Sequence, residues 1–269
     1  MAIMLGRQRN PYTSPDEELQ KCISNEHLSE HFKALARDLD VVEPKHPDHI
    51  FKTHLDSRNN MLFDSAKANL ALTYVNAFVN AGYGKDLLIN NSESTEDWVF
   101  KNKEEGMTAA AASLGMLLLW DVDDGLSQID KYMDRREKEI QAGAYMGLGL
   151  LNSGITNEYD AVFGILTEKL EQTQDPKLMI GALMGLSFTY AGSAREDLLE
   201  TITPIILDPD YSIEVQAVAS LAIGLIYVGT CNEEACQSII QNLMEKEEGD
   251  VDSPFSRLFA LGLGLLFLG

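Results

Sequence analysis

The chain has 269 residues, of which 45% are hydrophobic and 23% are charged, so it can bury a sizeable core in one or two domains. Its 42 acidic residues outnumber 21 basic ones and give a formal net charge of -21 and a pI near 4.5. Nucleic acid and anionic lipid are bound through clustered Lys and Arg, so this acidity argues against both as partners. A basic protein is the natural complement, although net acidity can also serve solubility alone.

The N-terminal stretch MAIMLGRQRN turns polar at once, unlike a secretory signal peptide. The apolar tail LFALGLGLLFLG is too short to span a bilayer. Three cysteines without a paired framework favour a reducing compartment, and the five-residue step from Cys231 to Cys236 is not that of a zinc knuckle. We therefore expect Cys22, Cys231 and Cys236 to be ordinary buried thiols.

Residues 1–60 show few of the features that recur later, and we expect a helical segment that leads into the rest of the chain. The stretch NEHLSEHFKALARDL predicts a helix, and VVEPKHPDH predicts a turn. His46, His49 and His54 are close in sequence, but no acidic or cysteine partner stands at a recognised ligand spacing. We expect turn and surface histidines there, not a metal site.

Residues 61–269 contain a repeated pattern of small and apolar residues. Six segments align, beginning at positions 75, 113, 147, 185, 222 and 262: VNAFVNAG, SLGMLLLW, GLGLLNSG, GLSFTYAG, AIGLIYVG and GLGLLFLG. Such a nearly constant step is typical of helical repeats. The polar stretch at 90–97 predicts a loop inserted in the first repeat region.

Each repeat combines two helices of different character. A helix of small apolar residues ends at a glycine or its equivalent, a position suited to a left-handed C-terminal cap. An acidic turn and a second, amphipathic helix follow, for example from Asp160 to Leu170. Stacking of such pairs predicts an all-α fold, an α-solenoid in which the glycines let the inner helices approach closely and the charged helices lie outside.

Acidic residues recur on the predicted outer helices. Asp123, Asp130 and Asp134 follow one another by seven and four residues, which places them on one helical face, with Leu126 and Ile129 among or beside them. Such a ridge suits a small basic partner with an exposed apolar patch. A solvated outer face remains the alternative. Further acidic residues follow on the next two outer helices: Asp160, Glu168, Glu171, Glu196, Asp197 and Glu200.

No motif indicates catalysis. The sequence has no G-x-S-x-G, P-loop or H-E-x-x-H, and GLGLLNSG lacks the preceding strand and the spacing of a dinucleotide-binding loop. We therefore expect no enzymatic activity and no cofactor.

Several long stretches resemble a known family. ALARDLDVVEPKHPDHIFKTHL, FKNKEEGMTAAAASLGMLLLWDVDDGLSQIDKYM and VGTCNEEACQSIIQNLMEKEE are similar to the large non-ATPase scaffold subunits in the base of the 26S proteasome regulatory particle, which consist of proteasome/cyclosome repeats. LWDVDDGLSQIDKYM and EPKHPDHIFKTHL favour the ubiquitin-receptor branch of this family.

The resemblance implies a toroid of repeats, found in the cytoplasm and nucleus, that docks ubiquitin and the ubiquitin-like domains of shuttle factors. It places the receptor site on acidic outer helices, at Asp123, Leu126, Ile129, Asp130 and Asp134. It also implies contact with the ATPase ring and a deubiquitinase bound beyond or at the edge of this chain. By adjacency on the next outer helix, weaker candidates are Asp160 and Glu168.

The chain reads as a fragment cut inside a repeat, because its apolar end lacks a cap. An arc with unstacked end repeats exposes apolar helix surface, so we expect self-association through the end from Phe259 to Gly269. A purely architectural scaffold without a receptor site is the alternative function.

Overall fold

The computed structural model describes residues 13–51, 65–89, 95–157 and 159–269. All regular secondary structure in these ranges is helical. The chain divides into two compact units, one comprising Glu26–Asn152 and the other comprising Ser153–Gly269 together with the N-terminal residues up to Asn25. None of the helices in the described part of the chain combines the length and apolar character needed to cross a membrane.

The helices follow the predicted alternation of small-residue and amphipathic segments. They are α1 (Glu17–Ser24), α2 (Leu28–Asp38), a 3-10 turn (Pro47–His49), α3 (Ser65–Val79), α4 (Thr95–Lys101), α5 (Glu105–Leu117), α6 (Val122–Met133), α7 (Lys138–Leu151), α8 (Ala161–Gln172), α9 (Pro176–Thr189), α10 (Glu196–Leu207), α11 (Ile213–Ile226), α12 (Glu233–Glu245), α13 (Glu248–Val251) and α14 (Ser256–Leu266).

In the Glu26–Asn152 unit, the inner helices α3, α5 and α7 pack side by side, and α6 packs against α5 and α7. Small residues make this approach possible. A Cβ atom on Gly115 of α5 would overlap the backbone of Gly147 in α7, and one on Gly143 would overlap the carbonyl of Thr108. Two helix backbones are therefore in direct contact, which is the packing role that the sequence predicts for these glycines.

The other unit repeats the arrangement with inner helices α9, α11 and α14. A Cβ on Gly224 of α11 would lie 2.6 Å from Cα of Gly262, and one on Gly262 would lie 2.5 Å from the Ser220 carbonyl oxygen. Outer helix α8 covers α9, α10 covers α11, and α12 contacts both α10 and α14. The predicted α-solenoid of helix pairs is confirmed, whereas its place in a toroid stays a prediction.

Glycines also end the inner helices, as predicted. Gly82, Gly154, Gly192 and Gly229 follow α3, α7, α9 and α11 with φ values between 72° and 81°. This left-handed conformation has little steric cost only for glycine. Trp120 takes the same place after α5, at φ 70°, where its ring meets Phe32 edge-to-face at 5.5 Å.

Three of the turns that follow an inner helix are each bonded by two hydrogen bonds to the end of the next inner helix. Two turn N–H groups, two residues apart, donate to its last carbonyls, which no helical N–H can satisfy. Gly82 and Gly84 donate to Met116 and Leu117, Gly192 and Ala194 to Leu225 and Ile226, and Gly229 and Cys231 to Leu265 and Leu266, over 2.8–3.0 Å. Each of these three turns thereby caps the end of the following inner helix.

Two smaller predictions need correction. The three cysteines are free but not buried: Cys22 and Cys231 are exposed and Cys236 is half-buried, because they lie on the outward side of amphipathic helices or in a turn. The predicted polar loop at 90–97 ends early, since α4 already begins at Thr95, and residues 90–94 lie outside the described ranges. The predicted boundary between residues 1–60 and 61–269 stays a prediction.

Candidate docking surface on the acidic outer helices

Helix α6 presents the predicted acidic face. Its first turn contains Asp123 and Asp124, whose charges interact favourably with the positive end of the helix dipole. Gly125, Tyr132 and Met133 are among the residues buried on the opposite side, against α5 and α7. Burial of this apolar stripe fixes the rotation of α6 and turns its remaining side chains to solvent.

Three of the predicted residues lie on that solvent side. Asp123, Asp130 and Asp134 are all exposed, and their spacing places them on one face of the helix. Leu126 is half-buried. Ile129 is 0% exposed, so its assignment to a docking surface is wrong. Its side chain belongs to the core of this unit, which no docked partner reaches.

The charge on this face acts on neighbouring groups. Burial, and then the negative charge of Asp134, raise the pKa of the Tyr145 hydroxyl. The nearby guanidinium of Arg135 lies 5.9 Å from the centre of the Tyr132 ring, and its Nε donates to the carbonyl of Lys131. Asp121, just before α6, is engaged by Lys33 over 2.5 Å. The acidic face therefore consists of Asp123, Asp130 and Asp134, and the basic residue Arg135 lies at its C-terminal end.

Asp160 has an internal role. It stands at the start of α8 in a left-handed conformation, with φ 43°, and it pairs with Arg195 and accepts from the Tyr190 hydroxyl. The Arg195 guanidinium lies 4.3 Å from the centre of the Phe163 ring. Asp160 therefore holds the beginnings of α8 and α10 and the end of α9 together.

Arg195 also bonds Asp197 through its fork of N–H groups. This hydrogen bond lowers the pKa of the Asp197 carboxyl and raises that of the guanidinium, against the opposing effect of burial. This cluster was not predictable from the sequence, because its members come from three different helices. Cation–π and charge-assisted contacts of this kind stabilise local structure.

Glu168, the other weaker candidate, is exposed on α8 and accepts from the amide of Gln172 over 2.7 Å. Glu168 and Asp160 belong to the unit that contains Ser153–Gly269, whereas Asp123, Asp130 and Asp134 belong to the Glu26–Asn152 unit. A continuous ridge across all five residues therefore stays a prediction.

The histidine cluster lies at the 3-10 turn. The rings of His46 and His49 are 6.0 Å apart, and the His46 Nδ1 accepts from the Asp48 N–H over 3.2 Å. Within the ranges that the structure describes, no three His, Cys, Asp or Glu side chains are placed to hold a metal ion. His54 lies outside those ranges.

Sequence reasoning missed a second acidic feature, a cavity of about 400 Å³ beside α10, α11 and α12. Glu196 and Glu200 belong to the predicted acidic pattern, and Glu234 lies in an acidic turn before an outer helix, but the pattern does not include Tyr227. Tyr227 belongs to an inner-helix segment and looks like an ordinary packing residue in the repeat pattern. No sequence signal brings it together with Glu234.

The fold and the acidic outer face define a helical-repeat protein of the α-solenoid class, with features suited to docking other proteins. A family profile described as the RPN1 N-terminal domain matches residues 1–56. The 26S proteasome regulatory subunit rpn1 of Schizosaccharomyces pombe is 46% identical over the whole chain, and rpn-1 of Neurospora crassa is 41% identical over the whole chain. The 26S proteasome non-ATPase regulatory subunit 2 homolog A of Arabidopsis thaliana is 47% identical over 94% of it.

The chain belongs to this family of 26S proteasome regulatory subunits, which the relatives' names describe as rpn1 or non-ATPase regulatory subunit 2. It spans 29–31% of the length of these three relatives.

Proposed function

We propose that the chain acts as part of a non-catalytic scaffold subunit of the 26S proteasome regulatory particle and docks ubiquitin and the ubiquitin-like domains of shuttle factors. Family membership supports the proteasomal role, and the names of the relatives describe regulatory and non-ATPase subunits. The proposed place of action is the cytoplasm and nucleus. The ATPase ring and a deubiquitinase are proposed as further partners of the whole subunit.

One observation carries the docking proposal: Asp123 and Asp130 on α6 and Asp134 at its C-cap are exposed together on one side, and the helix is itself anchored by a buried apolar stripe. A rigid helix presents the three carboxylates at fixed spacing, so a partner meets a preorganised surface. Half-buried Leu126 adds a small apolar contact beside them.

The expected mechanism is electrostatic encounter followed by a small apolar contact. Negative charge on the helix raises the rate at which a basic surface arrives and orients it. A single contact of this size gives modest affinity, which a partner with several linked modules can raise through effective concentration. Weak, salt-sensitive binding is therefore the expected behaviour of one isolated domain.

The test is a titration of isotope-labelled ubiquitin, and separately of a labelled ubiquitin-like domain, with the protein, followed by NMR chemical-shift perturbation. The double variant Asp130→Arg, Asp134→Arg reverses the charge of the exposed face without touching the core. The matched control is Glu26→Arg, Glu245→Arg, which makes the same change in net charge at two other exposed positions.

We expect the unmodified protein and the control variant to perturb the chemical shifts of the labelled domain. The α6 double variant should no longer perturb them. Equal perturbations with both variants would remove the assignment to α6. No binding by the unmodified protein would favour the architectural alternative, in which the outer helices only pack against neighbouring subunits.

A further inference from the structure

Helix α1 is bonded to the turn at residues 153–157, the Gly154 turn, which lies far from it in sequence. The Thr156 N–H donates to the carbonyl of Ser24 over 2.9 Å. In the opposite direction, the side-chain amide of Asn25 donates to the carbonyl of Gly154 over 2.7 Å, across 129 positions of sequence. Both segments belong to the same compact unit. Two reciprocal hydrogen bonds thus join the end of α1 to this turn.

At the Gly154 turn, α1 takes the place that the end of an inner helix has at other turns. In the turn after α9, Ala194 is two residues past the glycine and donates its N–H to Ile226, the last residue of α11. In the turn after α7, Thr156 is two residues past the glycine, and its acceptor Ser24 is the last residue of α1. The turn keeps its donor, but a helix from the N-terminal segment supplies the acceptor.

The residue that ends α1 also attaches it. Asn25 has φ 59° and ψ 27°, and its backbone N–H donates to the carbonyl of Lys21. Asparagine adopts this left-handed conformation more readily than most other residues with a Cβ atom. A glycine would end the helix equally well, but it would lack the amide that reaches Gly154. The two roles of Asn25 can therefore be separated by substitution.

Helix α1 has little buried surface of its own. It has eight residues, and Ile23 is the one that is buried, whereas Leu19 is 48% exposed. By contrast, α9 and α11 bury most of their residues. A helix as short as α1 is marginal in water without tertiary contacts, and elements with few buried apolar contacts open locally at a lower free energy than the core. Helix α1 should therefore detach more readily than the inner helices.

We propose that α1 is a reversible strap on the Gly154 turn. In the docked state, its last carbonyl accepts the Thr156 N–H as the end of an inner helix would. In the released state, α1 unfolds and the Thr156 N–H and Gly154 carbonyl bond to water, while the junction at Ala194 stays closed. The strap gives this unit two states that differ in α1 and in the turn that leads into α8. It does not involve α6, so it is independent of the docking surface proposed there.

Amide hydrogen exchange of the full chain, resolved by NMR with nitrogen-15 labelling, measures the release. Thr156 reports the junction, the backbone amide of Asn25 reports the end of α1, and Ala194 is the internal control because it makes the equivalent bond to α11. We expect Thr156 and Asn25 to share one opening free energy and to be protected at least about tenfold less than Ala194. Their opening should also depend less on urea, because a local opening exposes less surface than global unfolding.

The variant Asn25→Gly keeps the left-handed helix end and removes the amide that bonds Gly154. Loss of this hydrogen bond should accelerate exchange at Thr156 by about fivefold to tenfold and leave Ala194 unchanged. The matched control is Cys22→Ser, a substitution of similar size and helix propensity at an exposed position of α1, which should leave exchange at Thr156 unchanged. Circular dichroism and urea unfolding check that both variants are folded.

Four results would overturn the proposal. They are protection of Thr156 equal to that of Ala194, separate opening free energies for Thr156 and Asn25, unchanged exchange at Thr156 in Asn25→Gly, and a dependence of that exchange on protein concentration. The last result would mean that α1 docks on a second copy of the chain. Asn25→Gly should still perturb the labelled ubiquitin-like domain as the unmodified protein does, so a failure of the strap is distinguishable from a failure of the docking proposal.

Discussion

Two glycines on α14 allow a test of the close packing between inner helices. Gly262 faces α11, where an added Cβ would lie 2.5 Å from the carbonyl oxygen of Ser220, whereas ordinary van der Waals contact begins at 3.4 Å. Gly264, two residues further along the same helix, has no atom within 4 Å of an added Cβ. The same substitution, glycine to alanine, should therefore have opposite effects at the two positions.

The magnitudes follow from two competing contributions. Replacement of glycine by alanine within a helix stabilises by about 1 kcal/mol, because alanine loses less backbone entropy. At Gly264 this contribution acts alone, so Gly264→Ala should raise the free energy of unfolding by about 0.5–1 kcal/mol. At Gly262 the helices must separate by almost an ångström, and overpacking of this kind costs about 1–3 kcal/mol. Gly262→Ala should thus be destabilising by up to about 2 kcal/mol net.

Urea unfolding followed by circular dichroism measures both changes. If the slope of the unfolding free energy against urea concentration is the same in both variants and in the unmodified protein, the substitutions alter stability and not the amount of surface exposed on unfolding. If Gly262→Ala stabilised the protein as much as Gly264→Ala, the two helix backbones would not be in contact, and the packing role of the repeated glycines would be refuted.

The turn and the Arg195 cluster give three further predictions. Ala194→Gly should stabilise the folded protein by about 0.5–1 kcal/mol in thermal unfolding, because Ala194 has a φ of 51° that glycine adopts without strain. Ala191→Gly is the control, because Ala191 lies outside the left-handed region and glycine relieves no strain there. Arg195→Met should destabilise by about 1–2 kcal/mol through loss of the ring and carboxylate contacts, and Arg195→Lys should fall between it and the unmodified protein in urea unfolding. Because Arg195 lowers the pKa of Asp197 in the folded state, the pair contributes stability above the ordinary carboxyl pKa, and this contribution is lost as pH falls through the lowered value. Asp197→Asn should therefore reduce the loss of unfolding free energy as the pH falls. An unchanged loss would contradict the pairing of Arg195 with Asp197.

The repeats were predictable because glycine carries a strong local signal. A left-handed turn favours glycine, so Gly154, Gly192 and Gly229 stand at nearly constant intervals whatever their neighbours are. Trp120 shows the exception, since aromatic packing on Phe32 accompanies the same backbone conformation without glycine.

The candidate site was less predictable, because exposure depends on what a helix packs against. Helical spacing alone places Ile129 near the acidic face, yet packing on α5 and α7 buries it completely. Spacing also suggests that Asp160 is a surface acid, whereas Arg195, 35 residues later, engages it. Such partners are fixed by tertiary packing, for which a single sequence contains no local signal.

The hydrogen bonds from each turn to the next inner helix define the part of the chain that can be exchanged. The turn at Gly192 and the turn at Gly229 each donate two N–H groups, at equivalent positions, to the last two carbonyls of the next inner helix. A segment running from one such turn to the next therefore has matching ends. Removal of the segment between these two turns would bring equivalent N–H groups to equivalent carbonyls, so the hydrogen bonds at this junction could form again.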